Sequence, residues 1–332
     1  MCSEKSKQMV SGKSFEYALL RQFYEKLKGK TNVHIIENKS FCIAKKCFEI
    51  LSAEKRSEGL LYASCAINTL IDLEPRLSNS VAQDDILQLE LQKDTEGRKG
   101  DVRDVLIVRC LQKWEIGISA KINNDAVKHC RLSDVLDFGQ EWFGINCSQD
   151  YFKEISPIFH NLRELQAKAM TWRSLTKKYQ EAYVPVLSAF TNELNRLYAQ
   201  HKEKIASGLV SYVVGKKDFY KVIKYARKVK IEAFNFRGTL NLPFQNSLEN
   251  IQAKCLVKRV MLPDELIKID PIKVKNKNGY TSLLVTLNNN WELSFRIHSA
   301  KTYIEPSLKF DVRIKNAPKT LFKISLNVGE RA

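Results

Sequence analysis

Asp101 and Asp104 stand just ahead of the apolar run Val105-Leu-Ile-Val108, and Lys121 closes the next run, Trp114-Glu-Ile-Gly-Ile-Ser-Ala-Lys121. Carboxylates and a lysine gathered at one end of neighbouring strands can hold a divalent cation against a phosphodiester and orient the water that attacks it. In a strand, alternate side chains share a face. Glu115, Gly117, Ser119 and Lys121 therefore point one way, while Ile116, Ile118 and Ala120 face a core. Residues 104–111 and 114–122 read as an antiparallel pair. Such a hairpin reverses direction, so Lys121 returns to the end of the sheet where Asp104 sits. An ordinary strand-edge ion pair is the plainer reading of the same two residues.

Several elements must position this hairpin. Phe15, Leu19, Leu20, Phe23, Tyr24 and Leu27 have helical spacing and predict an N-terminal helix. A second helical region runs from Cys42 to Leu73, where Pro75 stops it. Gln83 to Gln92 alternates as a strand and Lys93 to Gly100 is a polar loop. Ser133 reads as the N-cap of a helix through Phe143, and residues 149–206 as a helical layer broken at Pro157 and Pro185. Lys217, Lys221, Lys224 and Lys228 fall on one helical face, a surface suited to tracking phosphates, or simply a solvated one. After Pro243 the alternating runs 282–287, 291–297, 308–314 and 321–326 predict a small antiparallel sheet. The expected division is a core with the hairpin over 1–150, a helical basic region over 151–245 and a β subdomain over 246–332.

The formal charge of +17 is unevenly placed. Residues 1–150 hold 22 Lys and Arg against 22 Asp and Glu, and residues 151–332 hold 32 against 15. Clustered cations in one half point to a polyanion, and nucleic acid is the simplest. No apolar run is long enough for a membrane span and no secretory leader is visible, so the cytoplasm is the expected compartment. The eight cysteines form no CxxC pair and the five histidines have no metal-ligand spacing, which argues against zinc sites and a disulfide framework. Lys128, His129 and Arg131 lie just past the hairpin, and Arg296, His298 and Lys309 form a later cluster. Both could clamp phosphates or reach guanine edges.

The Asp104…Ser119-Ala-Lys121 arrangement resembles the PD-(D/E)XK nuclease signature, and Gly12-Lys-Ser-Phe-Glu16 resembles the N-terminal helix whose glutamate often joins that site. The wider run from Ile116 through Lys128-His-Cys-Arg-Leu-Ser to Gly139, with 291–300 and 307–311, is similar to the HaeIII-type family of type II restriction endonucleases. The resemblance implies an α/β PD-(D/E)XK-type core with an added helical layer and a C-terminal antiparallel β subdomain. It implies Mg²⁺-dependent cutting of double-stranded DNA at a short palindrome, GGCC for this family, with a cognate DNA methyltransferase as a functional partner. A palindrome favours a homodimer. Asp104, Lys121, Ser119 and Glu16 are then the catalytic set, with Asp104, Glu16 and Asp101 as metal candidates. Ser119 departs from the pattern by filling the usual acidic slot, so a second carboxylate must come from elsewhere: Glu16, Asp101 or Glu115, with Asp134 and Glu141 behind them. The rival readings are a structure-selective repair nuclease and a non-catalytic nucleic-acid binder.

Overall fold

A computed structural model describes residues 4–93, 100–123, 126–273, 280–299 and 301–329. In chain order the elements are α1 (Glu4–Leu27), β1 (Val33–Ile36), α2 (Lys39–Glu49), α3 (Ala53–Leu73), β2 (Leu87–Leu91), β3 (Val105–Arg109), β4 (Trp114–Ile122) and β5 (Ala126–Leu132). There follow α4 (Phe138–Phe143), α5 (Gln149–Ala167), α6 (Val184–Val214), β6 (Phe219–Tyr225), β7 (Lys228–Phe234), β8 (Phe244–Gln245) and β9 (Asn250–Ile251). Last come β10 (Leu266–Lys273), β11 (Tyr280–Leu287), β12 (Glu292–His298), β13 (Leu308–Asn316) and β14 (Phe322–Asn327). The architecture is mixed α/β, and tertiary contacts gather the chain into two interleaved units.

The first unit comprises residues 1–125, 216–260 and 319–332 and holds a seven-stranded mixed sheet in the order β1-β2-β3-β4-β6-β7-β14. β1 pairs with β2 and β4 with β6 in parallel, and the other neighbours are antiparallel. Leu89, Leu91, Val105, Ile107, Ile116 and Ile118 are fully buried in one core with Leu19, Leu20 and Phe23 of α1 and Ala63, Ala66 and Ile67 of α3. The region expected as a single helix from Cys42 to Leu73 is two, because Ser52 takes an extended conformation and its side chain caps α3 at the Lys55 N–H. The lysine-rich segment expected as a helix is the β6–β7 hairpin. Val222, Ile231 and Ala233 are buried in the core on the face that carries Ile118 and Ala120, so strand alternation wins over the helical spacing of the lysines.

The second unit comprises residues 126–215 and 261–318. Its five-stranded antiparallel sheet runs β10-β11-β12-β13-β5. Phe295 and Phe310 on that sheet pack with Phe190 of α6, and Phe190 in turn meets Phe138 and Trp142 of α4. Ser133 does not cap the helix that follows; Asp137 does, accepting the Gln140 N–H at 2.9 Å. Pro157 lies inside α5 without ending it, whereas Pro185 sits in the first turn of α6, where its missing N–H costs nothing. The run 321–326 is not part of this sheet: β14 pairs with β7 in the first unit.

Candidate active site

β3 and β4 pair with Val105 opposite Ile118, which brings Asp104, just before β3, beside the end of β4. The Asp104 N–H donates to Ile118 O at 2.7 Å, fixing the backbone. Its Oδ2 accepts the Ala120 N–H at 2.7 Å, the Lys121 ammonium at 3.1 Å and the Ser119 hydroxyl at 3.4 Å. Asp104 and Lys121 thus meet, as the reversal of the hairpin requires. Their side chains are 23% and 27% exposed, so both remain accessible to a ligand. Ser119 is 2% exposed and forms the floor between them.

Glu16 comes to the same place from α1. It is 8% exposed, and Lys13, one turn earlier, pairs with it at 2.9 Å. Burial pushes its carboxyl up to about 7, the negative charge of Asp104 adds to the rise, and Lys13 and Lys121 oppose it. Glu16, Asp104, Lys13 and Lys121 therefore form one electrostatic group, in which the charge of Asp104 raises the Glu16 carboxyl and the two lysines lower it. Lys13 was no candidate on sequence grounds. Its spacing of three from Glu16 on a helix is the signal that could have found it.

Asp101 does not join this group. Both of its oxygens are taken by Arg103, Oδ1 by Nε at 2.8 Å and Oδ2 by Nη2 at 2.7 Å. Burial opposes ionisation, but the hydrogen bonds and charge of Arg103 outweigh it and hold Asp101 below the usual carboxylate range. Glu115 is engaged likewise, by Arg103 at 3.1 Å and Lys217 at 2.9 Å. In the second unit Asp134 binds Arg163, and Glu141 accepts the Tyr212 hydroxyl. Of the carboxylates considered as a second metal ligand, Glu16 is raised by the charge of Asp104. No cluster of three or more His, Cys, Asp or Glu side chains suited to a metal occurs among the described residues.

The expected basic surfaces are rearranged. Lys217 pairs with Glu115, Lys221 is 3% exposed and stands opposite Ser119 on β6, Lys224 pairs with Glu58 at 3.1 Å, and Lys228 lies over the Tyr225 ring. These lysines share no common face. In the second unit the two clusters that are far apart in sequence converge in register across β5, β13 and β12. One row is Arg131, Lys309 and His298; the next is His129, Asp311 and Arg296. Arg131 bonds Ser307 and Glu305, Arg296 bonds Asp311, and His298 Nδ1 lies 2.9 Å from Ser299 O. Lys128 lies opposite Val312, one residue out of phase with Arg131, and its ammonium donates to Tyr212 O at 3.1 Å while sitting 3.3 Å from the centre of that ring.

A family model described as HaeIII restriction endonuclease matches residues 12–318. The chain belongs to the HaeIII restriction endonuclease family. It is 35% identical over 313 residues to the type II restriction enzyme HaeIII of Haemophilus aegyptius, covering 94% of this chain and 95% of that protein. No solved structure matches it. Membership makes the protein a type II site-specific deoxyribonuclease acting on double-stranded DNA. Asp104 and Glu16 carry the kind of oxygen donors that a hard divalent cation takes. Magnesium keeps several waters and is commonly bound by only one or two carboxylates, and a dication would oppose the rise that burial, with the charge of Asp104 added, causes at Glu16. No helix among the described residues is long and apolar enough to cross a membrane.

Proposed function

We propose that this enzyme cleaves DNA at GGCC by Mg²⁺-dependent, PD-(D/E)XK-type hydrolysis, with Asp104 and Glu16 as the metal carboxylates. The observation that supports this best is the meeting of Lys121 and Asp104 at 3.1 Å beside a glutamate whose ionisation depends on both. A bound magnesium ion supplies positive charge to the phosphate oxygens. Lys121 orients the attacking water and stabilises charge on the oxygens of the pentacoordinate transition state; Ser119 and the Ala120 N–H keep Asp104 turned toward the site. The water oxygen bonds to phosphorus and gives up a proton to solvent, the bond to the leaving sugar oxygen breaks, and that oxygen takes a proton from solvent. Arg131, Arg296, His298 and Lys309 serve as DNA contacts on the second unit. The palindrome favours a homodimer, and a cognate methyltransferase protects host DNA without binding this chain.

Plasmid digestion tests the reading. With Mg²⁺ the wild type gives discrete fragments ending at GGCC, while Asp104→Ala and Lys121→Ala fold and bind the duplex but leave it intact. Normal cutting by Lys121→Ala sinks the site assignment. A smear or simple nicking favours structure-selective cutting instead.

A further inference from the structure

The strand register carries the site one position beyond the residues of the resemblance. Leu91 is opposite Val105, and the next step of the ladder is the Gln92 N–H donating to Asp104 O at 3.0 Å. Gln92 is therefore the cross-strand neighbour of Asp104. Gln92 follows Leu91 by one residue, so its side chain leaves β2 on the face opposite the buried Leu91. The same row continues from Asp104 to Ser119, whose hydroxyl reaches its carboxylate, and from Ser119 to its register partner Lys221. A line of polar groups thus crosses four strands at the proposed site.

Gln92 differs from its neighbours in this row. Its side chain is on a residue only 9% exposed, and its amide nitrogen is buried with no hydrogen-bond partner among the described residues. Burying an amide donor without a partner is costly, and a folded protein satisfies nearly all such groups. A donor buried without a partner, on the residue bonded to the Asp104 backbone, is one that an incoming oxygen can satisfy once the site admits it. The donor chemistry selects the partner: an N–H repels a cation and binds an anionic oxygen.

We propose that the Gln92 side-chain amide donates a hydrogen bond to a non-bridging oxygen of the scissile phosphate, a contact that rests on Asp104 and Lys121 being the cleavage site. Negative charge on those oxygens is redistributed as the nucleophile arrives, so a fixed donor stabilises the transition state more than the bound duplex and acts on the cleavage step.

The test is single-turnover cleavage of a GGCC duplex with saturating enzyme and Mg²⁺, for wild type, Gln92→Met and Gln92→Glu, with duplex affinity measured in EDTA and thermal melting in parallel. Gln92→Met removes the donor at nearly constant length. It is expected to melt at or above the wild-type temperature and to bind the duplex within about threefold, yet to cut about 100-fold more slowly. Gln92→Glu, placing a negative charge beside the phosphate, is expected to be slower still. A phosphorothioate diastereomer at the scissile position reads the contact itself: sulfur in place of the contacted oxygen slows the wild type and has a smaller effect on Gln92→Met. Wild-type cleavage by Gln92→Met, a fall in melting temperature with parallel loss of duplex binding, or an undiminished sulfur effect overturns the proposal. Asp104→Ala and Lys121→Ala, run alongside, separate the two failures. If they also cut, the site assignment has failed; if they are inert while Gln92→Met cuts normally, only the Gln92 contact has.

Discussion

The Arg103 side chain crosses β4 directly over Gly117, so closely that a β-carbon there would fall 2.1 Å from Arg103 Cδ and 2.6 Å from its Cγ. Glycine is required here by contact, since the guanidinium must pass to reach Asp101 at 2.7 Å and Glu115 at 3.1 Å. Asp104 is the next residue along. The clip therefore anchors the backbone from which the Asp104 carboxylate is presented.

Gly117→Ala should expel Arg103 from its slot and leave Asp101 and Glu115 without that partner. Overpacking together with a broken, largely buried ion pair is expected to cost about 2–4 kcal/mol, read as a lower urea midpoint. Cleavage at temperatures where the variant remains folded should fall as well, because Asp104 loses its anchor. A variant with wild-type stability and rate would show that Arg103 has a second place to go.

Glu16→Gln keeps the shape of the side chain and its place beside Lys13, but removes the negative charge that a cation would meet. The Mg²⁺ concentration giving half-maximal cleavage should rise by tenfold or more, in line with the loss of one of the two proposed charged ligands. Isothermal titration of Mg²⁺ into the protein without DNA gives an independent measure. An unchanged Mg²⁺ requirement in both assays removes Glu16 from the metal site.

Glu74, at the end of α3, predicts a pH effect on stability that is separate from catalysis. It has no exposed surface; its Oε1 accepts the Tyr220 hydroxyl and the Asn241 N–H, both at 2.7 Å, and its Oε2 has no partner among the described residues. Burial pushes its carboxyl from 4.5 up to about 7. Between those values the folded chain holds a proton that the unfolded chain has released, so stability is full below pH 4.5 and falls as pH rises through 7. The full change is about 3 kcal/mol. Glu74→Gln should flatten the urea-stability profile from pH 5 to 8, and parallel profiles for the two proteins would count against a buried carboxyl as its source.

What the sequence made legible was whatever depends on local alternation. The 104–122 hairpin follows from two apolar runs around a polar break, and the meeting of Asp104 with Lys121 follows from its reversal. Other features escaped for different reasons. Lys217, Lys221, Lys224 and Lys228 have helical spacing by coincidence, and pairing of β6 with β4 overrode it. The capture of Asp101 by Arg103 depends on space above Gly117, which a sequence does not display. β14 is a good strand whose partner, β7, lies far back in the chain, and strand pairing at that separation leaves no local mark. Gln92 belongs to no catalytic signature; only the register and an unfilled donor single it out.

The sharpest contrast among the proposed DNA contacts is between Lys128 and Arg296, which sequence position alone placed in equivalent roles. Period-two alternation separates Lys128 from Arg131, and Lys128 stands opposite Val312, a fully buried core residue. Its ammonium is spent on the Tyr212 ring and carbonyl, a cation–π contact backed by a hydrogen bond. Arg296 holds Asp311 but leaves 55% of its side chain exposed. Lys128→Met should therefore lower stability by about 1 kcal/mol and leave the salt dependence of duplex binding as it was. Arg296→Ala should leave melting nearly unchanged and reduce the slope of log affinity against log salt by about one, the signature of one lost phosphate contact. If Lys128→Met reduced that slope while melting normally, Lys128 would be a DNA contact after all, and its packing on Tyr212 would be only its resting place in the unbound enzyme.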